Sequence, residues 1–259
     1  MIPYYPQPVI HLGPISIHAF GMLGALATLL AFWIILRRAR RMGIAMEETF
    51  QFLSVMYLCG LAGAFFASTI MADAQAFIAH PGRVFHVAVG IRSCGGLIGG
   101  LLSGLTWCAF RRLSLSETLR RFDALVYAFP AAWTAGRLGC ALAHDHRGLW
   151  TTSWIAVRFP EGQRYDLGLI EFVFLIGMTT LFWALDRKPR PVGFFFVSYT
   201  VVYGAFRIWL DTLHADPLRY YEGATYVVIG LLSWMTMWAL DRSHGEQRHT
   251  GQHRNPRLA

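Results

Sequence analysis

The stretch Thr134–Gly148, TAGRLGCALAHDHRG, places Arg137 between Gly136 and Gly139 inside an apolar run. Three further charged residues sit in comparable settings: Glu171 just past the start of a second apolar run, and Arg207 and Asp211 at the end of a third, in YGAFRIWLD. Tyr203 stands one helical turn before Arg207. A guanidinium is planar and donates parallel hydrogen bonds that match phosphate oxygens, so two arginines among apolar residues suit the gripping of a phosphate. A structural reading competes with this one. Residues four apart on a helix share a face, so Arg207 and Asp211 could simply neutralise each other.

The elements that must carry these residues are membrane helices. Apolar residues make up 55% of the 259-residue chain and charged residues only 15%, against about 25% charged in ordinary soluble proteins. Seven windows reach or approach the roughly 20 residues that cross a bilayer: 15–36, 50–72, 94–110, 124–143, 167–185, 192–210 and 223–240. The fold class expected is an all-α integral membrane protein with a single polytopic domain. An ionisable group at membrane depth costs about 3 kcal/mol on insertion scales, so Arg137, Glu171, Arg207 and Asp211 mark a functional site.

The net charge of +8 follows topology. Alternate loops hold Arg37, Arg38, Arg40 and Arg41; Arg111, Arg112, Arg120 and Arg121; Arg187, Lys188 and Arg190; then Arg242, Arg248, Arg254 and Arg257. The positive-inside rule makes these loops cytoplasmic, with the N-terminus outside and the C-terminus inside. The basic surplus is thus no nucleic-acid footprint. On the outer side, the proline-rich N-terminal segment is expected along the membrane surface. Residues 144–166 are expected to form a small head segment with a hairpin, and residues 241–259 a disordered tail. Cys59, Cys94, Cys108 and Cys140 lie in or at the ends of apolar runs without a CxxC, so neither a disulfide framework nor a structural metal site is expected. The glycines of CGGLIGGLLSG form small-xxx-small pairs that let helices approach closely, or else leave room for a headgroup.

The ordered motifs resemble those of the bacterial prolipoprotein diacylglyceryl transferases. GRLGCALAHDHRG follows the spacing of that family's G-R-x-G-N-F-x-N-x-E-x-x-G. LGPISIHAFGML is similar to its opening motif, CGGLIGG to its H-G-G-L-x-G-G, RYDLGLIE to H-P-S-Q-L-Y-E, and VVYGAFRIWLDTLHADP to Y-G-x-x-R-F-x-x-E-x-x-R-x-P-D. The resemblance implies an enzyme of the bacterial inner membrane. It would move the diacylglyceryl group of phosphatidylglycerol to the lipobox cysteine of a preprolipoprotein, with no cofactor and no metal. It also implies substrate-binding roles for Arg137, Arg207, Gly136, Gly139, Gly148, Tyr203, Glu171, Asp211, His18, Gly95 and Gly96.

The departures fall on the proton-transfer machinery. Cys94 stands where the family has a histidine, Cys140 and Ala143 where it has asparagines, and Asp145 where it has a glutamate. Phe20 and His214 replace a tyrosine and an arginine. His144 and His146 flank Asp145, and a neutral imidazole oriented by that carboxylate could accept a thiol proton. The same HDH could instead be a solvated loop or, with a further ligand, part of a metal site. Cys94 acting as a thiolate is a third option. The candidate catalytic residues are therefore Arg137, Arg207, His144, Asp145 and Cys94. The rivals are a paralogous phospholipid-dependent transferase with a different acceptor and, from another class, a transporter or a non-catalytic binder of anionic lipid, although no internal repeat supports a transporter.

Overall fold

The structure is a computed structural model and describes residues 1–13, 15–72, 93–215, 226–228, 231 and 234–235. Two thirds of the seventh apolar window lies outside the described residues, and the tail 241–259 wholly so. Among the described residues, three helical segments are long and apolar enough to cross a membrane, Ala19–Arg41, Met46–Ile70 and Leu167–Leu185, and Gly95–Phe110 is a shorter apolar one. The two helices that supply the arginines, Leu115–Ala143 and Phe194–Asp211, are not among them, because their charged residues lower their mean hydropathy. The chain is a helical, multi-pass membrane protein.

The chain divides into two compact units, one of residues 32–124 and one of residues 1–31 with 125–259. In the first, helix α2 (Met46–Ala72) packs on α3 (Ser93–Phe110) through a glycine seam. Lipid offers helices no hydrophobic drive to associate, so close backbone approach must supply the attraction. A Cβ on Gly99 would lie 2.6 Å from the Cys59 carbonyl oxygen, and one on Gly95 would overlap the Gly63 carbonyl and the Ala67 methyl. The room left by Gly95 is taken by α2, which corrects the expectation of a headgroup space there; a Cβ on Gly96 would lie 3.4 Å from the Ala64 methyl. Polar ties close one end of this unit. Arg38 pairs with Asp123 at 3.5 Å, Arg121 pairs with Glu48, and Arg111 donates to Gln51 at 2.7 Å.

In the other unit the first strands precede the helices. Strand β1 (Ile2–Pro3) is followed by β2 (Val9–Leu12) and β3 (Ile15–His18), which form an antiparallel hairpin. Helix α1 (Ala19–Arg41) thus begins at Ala19, and Ile15–His18, expected within the first span, is a strand. Isoleucine at alternate positions suits a pleated hairpin as well as a span. Helix α4 (Leu115–Ala143) contains Pro130 and runs into β4 (Arg147–Trp150), β5 (Val157–Phe159) and β6 (Gly162–Asp166). Head segment and N-terminus share a four-stranded sheet in the order β1-β5-β6-β4, with β1 parallel to β5. The expected hairpin is β5–β6; the added strands came from pairing between distant parts of the chain.

Helix α5 (Leu167–Leu185) starts directly after β6, with Asp166 as its N-cap accepting from the Leu169 N–H at 3.0 Å. Helix α6 (Phe194–Asp211) packs on it around Val126, Leu175, Met178, Phe182, Phe195, Tyr199 and Tyr203. Phe174 and Phe206 stack at 3.7 Å between ring centroids. These aromatic contacts fix the facing sides of α4, α5 and α6 below the charged layer.

Candidate active site

The charged layer is built around Glu171, one turn into α5 and 1% exposed. Its Oε1 accepts from Tyr203 Oη at 2.7 Å and Trp133 Nε1 at 3.1 Å, and lies 2.9 Å from Arg137 Nε. Its Oε2 accepts from Arg207 Nη1 at 3.2 Å. Arg207 Nε lies 2.8 Å from Asp211 Oδ1, so the pair four residues apart does form. The structural reading and the functional one are therefore not exclusive. One buried carboxylate bridges both arginines, and the second carboxylate completes the neutralisation of Arg207. Arg137, Arg207 and Asp211 are all buried. Charges this far from water persist only when paired and hydrogen-bonded.

Trp133 was missed by sequence reasoning. It lies one turn before Arg137 on α4, donates to Glu171, and sets its ring 5.3 Å from the guanidinium. The signal was present as W-x-x-x-R on one helix face, but the same spacing is common in any apolar helix. Small residues bring these helices together. A Cβ on Gly168 would lie 3.0 Å from the Ala141 nitrogen, so α5 starts hard against the end of α4. A Cβ on Gly139 would likewise lie 3.3 Å from the Phe20 Cα, whereas one on Gly136 would meet only the Ala27 methyl at 4.0 Å. A side chain on Gly148 would meet the Leu213 carbonyl at 2.7 Å. That close approach carries the β4 bond from the Leu149 N–H to Leu213 at 2.9 Å and the bridge from Gly148 to His214. It pins the chain just beyond Asp211.

The two histidines of HDH part ways. His144 ends α4 with φ of 52°, in the left-handed region that a non-glycine residue enters at a cost of about 1–2 kcal/mol. Its ring sits between Tyr4 and Phe159. Nδ1 meets Asp166 Oδ2 at 2.5 Å and Nε2 meets the Tyr5 carbonyl at 3.1 Å. Both ring nitrogens thus brace the head sheet and the α5 N-cap. Burial pushes the Asp166 carboxyl up, more than the bonds from His144 and the Leu169 amide pull it down. Asp145, which could have oriented either flanking histidine, meets His146 Nδ1 at 2.5 Å and not His144. His146 Nε2 lies 3.5 Å from Arg137 Nη1, and that same Nη1 lies 3.8 Å from Cys140 Sγ.

Donor atoms of Cys140, Asp145 and His146 fall within 4.8 Å of one another, a spacing that suits a cation. Arg137 already sets a fixed positive charge against two of the three, which opposes a metal ion there. His18 is exposed at the end of β3 and lines a groove of about 520 Å³ with Gln7, Ser16, Phe20, Ala143 and Asp145. The Cys94 side chain lies outside the described residues, and Gly95 and Gly96 belong to the glycine seam of the other unit.

A polytopic membrane protein with two buried arginines on one shared carboxylate, and a groove lined by the carboxylate that pairs with His146, has the make-up of a phospholipid-handling membrane enzyme. The family model for prolipoprotein diacylglyceryl transferase matches residues 7–240. The chain belongs to that family. It is 30% identical over 245 residues to the phosphatidylglycerol–prolipoprotein diacylglyceryl transferase of Ectopseudomonas mendocina (strain ymp), covering 90% of this chain and 87% of that one. Proteins of the same name from Pseudoalteromonas atlantica and Sodalis glossinidius are 26% and 27% identical, over 85% and 81% of this chain and 81% of each relative.

Proposed function

We propose that this enzyme transfers the diacylglyceryl group of phosphatidylglycerol to the lipobox cysteine of preprolipoproteins in the bacterial inner membrane. In this reading seven spans place the N-terminus and the head sheet on the outer side. The substrate phosphodiester enters from the outer leaflet and meets Arg137 and Arg207. The acceptor sulfur forms a bond to the terminal glyceryl carbon, and the bond from that carbon to the phosphate ester oxygen breaks. Its electron pair leaves with glycerol phosphate, and the product on the peptide is a thioether. Negative charge on the phosphate rises as the bond breaks, so preorganised guanidinium groups stabilise the transition state more than the bound substrate.

The observation that carries the reading is the convergence of Arg137 and Arg207 on Glu171. Glu171 and its donors Tyr203 and Trp133 hold both cations in place before any phosphate arrives. The groove lined by His18 and Asp145 is suited to an extended acceptor segment. The test uses the protein in nanodiscs containing phosphatidylglycerol, with a lipobox peptide, and mass spectrometry of the peptide. A diacylglyceryl adduct that disappears in Arg137→Ala and Arg207→Ala, with both variants folded, is the expected result. Adduct formation undiminished in both variants refutes the phosphate-gripping role. Lipid binding without any adduct makes the protein a non-catalytic binder of anionic lipid.

A further inference from the structure

We infer that His146, oriented by Asp145, is the base that removes the proton of the acceptor thiol, and this assignment rests on the transfer reaction proposed above. Three observations lead to it. The first is the division of labour between the ring nitrogens of His146. Nδ1 lies 2.5 Å from Asp145 Oδ1, so in the neutral ring the proton sits on Nδ1 and is donated to the carboxylate. Nε2 then carries a lone pair and is the basic nitrogen. It lies 3.5 Å from Arg137 Nη1, which brings the group that accepts a proton next to the group that grips phosphate.

The second observation is access. The His146 side chain is 23% exposed and that of Asp145 38%, whereas His144 is 11% exposed with both ring nitrogens engaged. A base must reach the proton it takes, within hydrogen-bond distance or through one water. His146 is the more exposed ring, and among the described residues its Nε2 has only the long 3.5 Å contact to Arg137 Nη1 to give up, against 3.1 Å to the Tyr5 carbonyl for the Nε2 of His144. The third is the groove. Asp145 lines it together with His18, Gln7 and Ser16, so an acceptor lying there passes beside the carboxylate that holds His146 Nδ1. The charged and titratable groups facing His146 are Asp145 from its own loop and Arg137 and Cys140 from α4, with Arg147 next in sequence tied to Glu161 and the His144 carbonyl. His18 of β3 lines the same groove as Asp145. The backbone of His146 is also held, because its carbonyl accepts from the Leu167 N–H at 3.0 Å.

The proton then follows a balanced path. It moves from the thiol to His146 Nε2 as the sulfur attacks the glyceryl carbon. The electron pair of the broken carbon–oxygen bond leaves on phosphate, and the imidazolium returns its proton to the departing glycerol phosphate or to water. Arg137 serves both ends of this transfer.

The full-length protein in nanodiscs with phosphatidylglycerol and a lipobox peptide is assayed for adduct from pH 6 to about 9, the upper end chosen to pass the ordinary thiol pKa of about 8.5. His146→Gln is expected to lower turnover at neutral pH by roughly 10²–10⁴-fold, the usual yield of a general base. Its rate should then climb steeply with pH, as the thiol ionises without help. A variant with a merely structural defect would lose rate at every pH alike. Asp145→Asn keeps the imidazole but loses its orientation, and is expected to lower kcat with KM for the peptide little changed. It stands in if His146→Gln does not fold. A wild type that transfers, beside variants with an unaltered pH profile, overturns the assignment and leaves the transferase reading intact. A wild type that forms no adduct at any pH overturns both.

Discussion

Replacing Glu171 by glutamine tests whether the buried arginines are held by charge. The substitution keeps the shape of the side chain, and one amide oxygen can still accept from Tyr203 and Trp133. It leaves the second position as an NH₂ facing Arg207 Nη1, where the carboxylate oxygen had been 3.2 Å away. Arg137, Arg207, Glu171 and Asp211 carry formal charges of two plus and two minus; in Glu171→Gln the sum becomes +1 in a layer that is almost wholly buried. Removing one partner of a buried ion pair costs about 3–5 kcal/mol. At about 2–4 °C per kcal/mol for a chain of this size, the apparent Tm in detergent should fall by roughly 6–20 °C. Glycerol phosphate should protect the variant more than the wild type, because it supplies the missing negative charge. Arg137→Ala in the Glu171→Gln background restores neutrality, so the double variant should be less destabilised than the sum of the singles, as a coupling of about 0.5–3 kcal/mol. A Glu171→Gln protein melting within about 2 °C of wild type, with additive double-variant behaviour, would refute the charge-bridge reasoning.

Three further outcomes are expected. Tyr203→Phe removes the 2.7 Å donor to Glu171 inside the core and should cost about 1.5–3 kcal/mol, read as a lower Tm; an unchanged Tm would mean the bond contributes nothing. Gly95→Ala should strongly reduce folded protein, because its methyl overlaps the Gly63 carbonyl and Ala67, while Gly24→Ala, with nothing within 4 Å, should be tolerated. Equal effects in size-exclusion yield would remove the packing argument. Asp166 has a carboxyl raised above its ordinary 3.8 by burial, so the native state favours its protonated form. Its contribution to stability is full below the unfolded value and is lost as pH rises through the raised native value. Asp166→Asn keeps a good N-cap acceptor without the charge, so melts from pH 3.5 upward should show wild type losing stability relative to the variant. A constant difference across that range would contradict this account.

Much of this protein is written in local composition. Apolar windows report the membrane because crossing a bilayer demands an unbroken stretch of one length and one character. The cost of a charge in that setting is likewise local, which is why Arg137, Glu171, Arg207 and Asp211 stood out from the sequence, and why the Arg207–Asp211 pair followed from helical spacing alone. The glycine seam between α2 and α3 was legible for the same reason, although only the backbone contacts at Gly63 and Gly99 chose packing over open space.

What the tertiary structure decided is partnership between distant segments. Nothing in the spacing of HDH says which histidine takes Asp145. The left-handed turn at His144 sends its ring toward Asp166 and Tyr5, and leaves His146 to pair with Asp145 beside Arg137. Local rules likewise did not anticipate that Ile2–Pro3 would join the edge of the head sheet, because strand pairing depends on which segments meet in space. Glu171 as the bridge between two arginines on two other helices required α4, α5 and α6 to be packed first. Sequence determined which residues are too polar for their surroundings, and the packing of the helices determined which of them neutralise one another and which remain turned toward a substrate.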